Sequence, residues 1–119
     1  MKFLMTYVQT HKNPPTPERM AAIAAFAQEQ AKAGILLMTG GLQRPSPATH
    51  IKLTDGKFTA TDGPFAETKE LIDGFALVEA PNREAALEAA RKFMVIAGDG
   101  EGEVLAVFDA PTEYPKPKV

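Results

Sequence analysis

Asp62 heads an Asp62-Gly63-Pro64-Phe65 run and is the residue of this chain best suited to chemistry. A carboxylate held beside a cleft can serve as a general base or bind a cation. At the head of a Gly-Pro turn it can instead accept backbone N–H bonds and fix the loop, as Asx-turns do. Gly63 and Pro64 set the backbone, while Phe65 caps a pocket or anchors a core or interface. His11 and His50 are the two histidines, the side chains that exchange protons near neutral pH. His50 stands at a strand start and can approach Asp62 across a hairpin; His11 follows the first strand, where the cleft of such a fold opens. Either could form a His–Asp pair with Asp62 for acid–base work, or simply sit at the surface.

Tyr7 could offer its phenol to a ligand, or be a buried ring with a satisfied hydroxyl. Glu67 and Lys69 are two apart and share a face of an extended segment. Together they could orient a polar ligand or form a weak surface ion pair. The histidines show no HxH or HExxH spacing and there is no cysteine, so no metal site is expected. Gly98, Gly100 and Gly102 are not followed by Lys-Ser or Lys-Thr and make no phosphate loop. No cofactor is expected.

The elements that must hold these groups follow from periodicity and turn chemistry. Lys2–Val8 reads as a buried strand, and His11–Pro17 as a proline-broken loop. Thr16-Pro17-Glu18 starts a helix with Met20, Ile23, Ala24, Ala27 and Ala31 on one face, closed by Gly34. Ile35–Thr39 is a strand, and His50–Leu53 and Lys57–Ala60 flank the hairpin signal Thr54-Asp55-Gly56. Leu71–Glu79 reads as a central strand, with Gly74 a bulge or close approach. Asn82 caps a helix over Arg83–Met94, and Glu103–Phe108 is the last strand.

Two βαβ-like halves with a hairpin between them predict an α+β, ferredoxin-like antiparallel sheet with both helices on one face. Residues 1–110 form one domain and 111–119 a proline-marked tail. Val104–Phe108 is apolar at every position, so both faces of that strand want burial. Two sheets packed back to back would cover the face that the helices leave bare, and a homodimer through the open sheet face is expected.

A chain of 119 residues with a net charge of −2 shows no basic face, which argues against nucleic acid. No apolar run approaches the roughly 20 residues that span a bilayer. The apolar start, Met1–Val8, gives way at once to Gln9, His11 and Lys12, unlike a secretory leader. A cytoplasmic protein that makes no membrane contact is expected.

Thr61-Asp62-Gly63-Pro64-Phe65-Ala66-Glu67-Thr68-Lys69-Glu70 resembles the hallmark of the YCII-related proteins, in their DGPF branch. Pro17-Glu18-Arg19-Met20, Ala33-Gly34-Ile35-Leu36, Leu71-Ile72-Asp73-Gly74-Phe75 and Arg83-Glu84-Ala85-Ala86 are similar to its other segments. The resemblance spans about residues 1–110. It implies a ferredoxin-like fold of the dimeric α/β-barrel superfamily, and a His–Asp pair in the cleft, proposed as catalytic in the wider family. Two departures stand out. Thr39-Gly40-Gly41-Leu42-Gln43 replaces a Gly-Glu-Gly-Leu-His segment of many members, and Leu105 and Val107 replace alternating Glu and Arg. The first weighs against acid–base chemistry and the second favours an interface. The expected function is a dimeric small-molecule binder or cofactor-independent enzyme with a cleft near the DGPF turn. The alternative implied by the resemblance is a non-catalytic regulatory or accessory protein linked to sigma-factor signalling.

Overall fold

The computed structural model describes residues 1–42, 49–62 and 72–108. Strand β1 (Lys2–Gln9) leads through helix α1 (Pro17–Lys32) to β2 (Leu36–Gly41). A hairpin follows, β3 (Thr49–Thr54) and β4 (Lys57–Asp62), and then β5 (Gly74–Glu79) and α2 (Arg83–Ala97). Two short strands end the described chain, β6 (Gly100–Glu101) and β7 (Val104–Ala106). The main sheet has the order β2-β5-β1-β6, with β7 also on β1, and these pairings are antiparallel. This is the expected α+β, ferredoxin-like architecture, and within one chain the sheet stays open.

Local signals account for the helix ends. Thr16 Oγ1 accepts the Arg19 N–H at 3.1 Å, with Pro17 in the first turn. At the other end Gly34 adopts φ +77°, and Gly34 N–H and Ile35 N–H donate to Ala31 O and Gln30 O. That left-handed residue turns the chain out of α1 and into β2. Asn82 Oδ1 caps α2 by accepting the Ala85 N–H at 2.8 Å. The helix runs three residues past the expected Met94, because Val95, Ile96 and Ala97 carry nothing that stops it. Gly98, at φ +104°, does.

Alternation along β1 divides the molecule. Phe3 and Met5 are buried with Val78, Ala80 and Ala86, so they face α2. Leu4 points the other way, paired with Leu77 on one side and Leu105 on the other. Met38 lies opposite Leu77, which completes a row of apolar side chains across four strands. Met38 and Leu105 are 59% and 48% exposed. The helix-covered core is small, and α1 contributes no fully buried residue to it.

The expected last strand is split in two, although its register on β1 is unbroken, from Gln9↔Gly100 to Phe3↔Ala106. Around Gly102 the chain comes so close to β1 that a Cβ would overlap the Thr6 carbonyl oxygen. The Glu103 N–H donates to Thr6 Oγ1 at 3.0 Å, and its carbonyl accepts the Thr6 N–H at 2.9 Å. A side-chain hydroxyl thus replaces one backbone acceptor of the ladder.

The hairpin turns on Asp55 and Gly56, both with positive φ, at +52° and +77°. Two left-handed residues in succession match the right-handed twist of the strands. Ile51 pairs with Ala60 and Leu53 with Phe58, so these four share one face of the hairpin, and every hairpin residue is exposed.

Replacing Gly102 with Ala should lower stability by about 1–3 kcal/mol, because the methyl group would meet backbone that cannot swing aside. Urea denaturation of the two proteins measures this. An unchanged midpoint would contradict the close approach at Thr6.

Candidate functional site

Small residues face one another where α1 and α2 cross the sheet. Ala27 comes from α1, Ala89 and Ala90 from α2, and Gly40, Gly41, Gly74 and Ala76 from the strands beneath. Gly74 lies so near β2 that a Cβ there would stand 3.2 Å from Gly40 O. Short side chains on both layers leave the space between them unfilled. The result is a cavity of about 940 Å³, walled mainly by apolar groups such as Met20, Ile23, Phe26, Leu36, Phe93 and Met94. Its size is that of pockets that enclose drug-sized molecules.

One part of the wall is polar. Tyr7 projects from β1, and its ring meets Phe93 edge to face at 5.3 Å with an interplanar angle of 89°. Its hydroxyl donates to Gly98 O at 2.9 Å and also lies 3.2 Å from Asp99 O. Burial raises the Tyr7 pKa above its ordinary 10.0; the Asp73 charge raises it further, Arg19 lowers it, and Asp99 raises it. Asp73 ties three segments together. Its N–H donates to Tyr7 O at 2.7 Å, its carbonyl accepts the Leu42 N–H at 2.7 Å, and its Oδ2 accepts the Gln9 N–H at 2.7 Å.

His11 stands behind this wall. Its Nε2 lies 3.2 Å from Ala97 O, and a carbonyl only accepts, so Nε2 carries a proton. Nδ1 is buried and has no hydrogen-bond partner among the described residues. The ring packs on Gly98, where a Cβ would stand 2.8 Å from Nε2, so both this contact and the φ of +104° favour glycine there.

The residues singled out by the sequence fall into three groups. Tyr7 lines the cavity, and His11 reaches its wall from outside through Gly98. Asp62 and His50 belong to the hairpin and do not line the cavity. There Asp62 lies opposite Thr49, whose hydroxyl donates to Asp62 Oδ1 at 2.7 Å, and His50 is opposite Thr61. Phe65, Glu67 and Lys69, with Gly63 and Pro64, lie outside the described residues. Asp73 and Asp99 were not singled out. The signal for Asp73 was present, a carboxylate inside the otherwise apolar Leu71-Ile72-Asp73-Gly74-Phe75. Asp99 carried none, being one acidic residue in a glycine-rich loop.

Among the described residues no group of three or more His, Asp or Glu could hold a metal ion. No helix among them is long and apolar enough to cross a membrane. Residues 1–110 match the sequence profile of the YCII-related domain. An uncharacterized protein of Rhizobium meliloti (strain 1021) is 33% identical over 72 residues, 60% of this chain and 58% of that relative's length.

The Tyr7 phenol should ionise above pH 10.0, and Tyr7→Phe should remove that late component from an alkaline absorbance titration. A phenol whose folded pKa exceeds its unfolded one contributes its full stability below pH 10.0 and loses it as pH rises through the folded value. The same substitution should cost about 0.5–1.5 kcal/mol near neutrality by deleting the hydroxyl's bonds. A Tyr7 that titrates at or below the ordinary value would contradict this setting.

Proposed function

The chain belongs to the YCII-related family, and from that premise we propose that it is a dimeric protein that binds a small, largely apolar molecule without a cofactor. The observation that carries this reading is the cavity of about 940 Å³ between the sheet and the two helices. An apolar enclosure with a few polar groups on one wall is how small-molecule sites are built. The apolar wall would hold the body of the ligand, and the end carrying Tyr7, Asp73 and Asp99 would orient it. Any catalytic role extends from the same wall. With the His11 Nε2 proton directed to Ala97 O, Nδ1 is the ring nitrogen left for proton exchange. Asp62, which accepts the Thr49 hydroxyl, and His50, opposite Thr61, stand in successive rows on opposite faces of the hairpin, so each would act there as a separate group and not as a pair.

Dimerisation rests on the opposite face of the sheet. Among the described residues no helix lies over the row formed by Met38, Leu77, Leu4 and Leu105. Removing such a row from water favours association by about 25 cal/mol per Å² of apolar surface buried. Two sheets packed back to back would cover it in both chains and leave each cavity facing outward.

Two experiments test these readings. Nile red, a neutral dye whose emission rises in apolar surroundings, should bind at a single saturable site. Ala27→Trp, which fills the cavity from α1, should weaken that binding at least tenfold. Binding indifferent to Ala27→Trp would place the dye elsewhere and remove the cavity from the account. In light scattering after gel filtration the protein should have twice the chain mass. Met38→Glu combined with Leu105→Glu should halve that mass with the circular dichroism unchanged. A wild-type protein of single-chain mass would refute the dimer.

A further inference from the structure

We propose that the β3–β4 hairpin is an arm with which one copy of this chain grips a second copy, burying Ile51, Leu53 and Phe58 against it. The inference rests on the dimer reading above and extends that interface beyond the sheet face. Alternation and register divide the hairpin into two unlike faces. Ile51 is opposite Ala60 and Leu53 opposite Phe58, so these four project from one face. His50, Lys52, Thr54, Lys57, Thr59 and Thr61 project from the other. A hairpin that stood in water on both sides would have no use for such a division. Yet Ile51, Leu53 and Phe58 are 65%, 69% and 63% exposed. Among the described strands β3 and β4 pair only with each other, and every residue of both is exposed. A two-stranded hairpin on its own is at best marginally stable in water, and packing its apolar face supplies what the ladder alone lacks.

The area that a dimer needs points to a second copy as the occupant. A stable dimer buries about 800 Å² of each partner, spread over about 20 to 30 residues. The apolar row of the sheet has four side chains, and Leu4 and Leu77 among them are already partly buried. Polar residues bound that row. Lys2 and Glu79 face each other across the strands at one end, and Thr6 and Glu103 meet at the other. The row by itself therefore falls well short of a stable interface. Each hairpin adds three large apolar side chains, all more exposed than any member of the row. In a two-fold assembly each copy extends one arm and receives one, so the added contact occurs twice and the assembly closes. Cover by an unrelated protein would supply none of the area that the sheet interface lacks.

The test compares the chain with a variant carrying Ile51→Thr, Leu53→Thr and Phe58→Thr. Threonine suits a strand while removing most of the apolar surface. Sedimentation equilibrium over a range of protein concentrations should show the dimer dissociation constant raised at least tenfold. In the single-chain background of Met38→Glu with Leu105→Glu, the same three substitutions should leave the urea midpoint unchanged, because within one chain that face is bare. With p-benzoylphenylalanine in place of Phe58, illumination should link two chains, and a mixture of light and isotopically heavy protein should yield the hybrid mass. An unchanged dissociation constant would overturn the arm and leave the sheet-face dimer standing. A lowered midpoint in the single-chain background, or crosslinks confined to one chain, would mean that the chain covers its own hairpin and would also overturn it. A wild-type protein of single-chain mass at every concentration would overturn the dimer reading and this proposal with it.

Discussion

Strand β1 has neighbours on both sides, and each residue along it must suit one of two very different surroundings. Phe3, Met5 and Tyr7 are turned toward the helices, and Leu4 toward the face opposite both described helices. A strand's period of two leaves no freedom in that division. Once Phe3 and Met5 are buried under α2, Tyr7 is carried to the wall of the cavity and Leu4 to the middle of the open row. Core, candidate site and proposed interface thus depend on one register. A shift of a single residue would exchange all three.

Strong local chemistry made much of the architecture legible. Thr16 and Asn82 begin helices because their side chains accept N–H groups that the first turn leaves unpaired. Gly34 and the Asp55-Gly56 pair reverse the chain because they occupy left-handed backbone. Where structure depends on residues far apart in sequence, the residues alone said less. The interruption of the last strand comes from Gly102 pressing on Thr6, a contact nearly a hundred positions apart and invisible to periodicity. The end of α2 was set by Gly98, and nothing in Met94 marked a stop.

The site was legible only in part, for a related reason. Tyr7 could be placed near a ligand because it falls toward the end of a strand. Asp73 acquires its significance from partners in two other segments, Tyr7 and Gln9 of β1 and Leu42 after β2. A cavity made by short side chains is harder still to foresee, since it is a property of facing layers and of no single residue. Ala27 and Ala90 look like ordinary helix formers until the glycines of β2 and β5 are found beneath them. The hollow also accounts for the modest core. Space left unfilled forfeits dispersion contacts along its lining, and an occupant of suitable shape would restore them.

Both edges of the main sheet are irregular. In β2 the pairing slips between Leu36 and Met38, and along the β6 and β7 edge the ladder falters where Thr6 Oγ1 takes the Glu103 N–H. An incoming strand needs an even row of donors and acceptors as a template, and neither border supplies one. The main sheet is therefore poorly equipped to extend border to border into an endless ribbon. The row through Met38, Leu77, Leu4 and Leu105 is instead a face, and two such faces pressed together would use each other up. Were copies to associate, irregular borders of this kind would disfavour open-ended growth of the main sheet and favour an assembly that closes on itself.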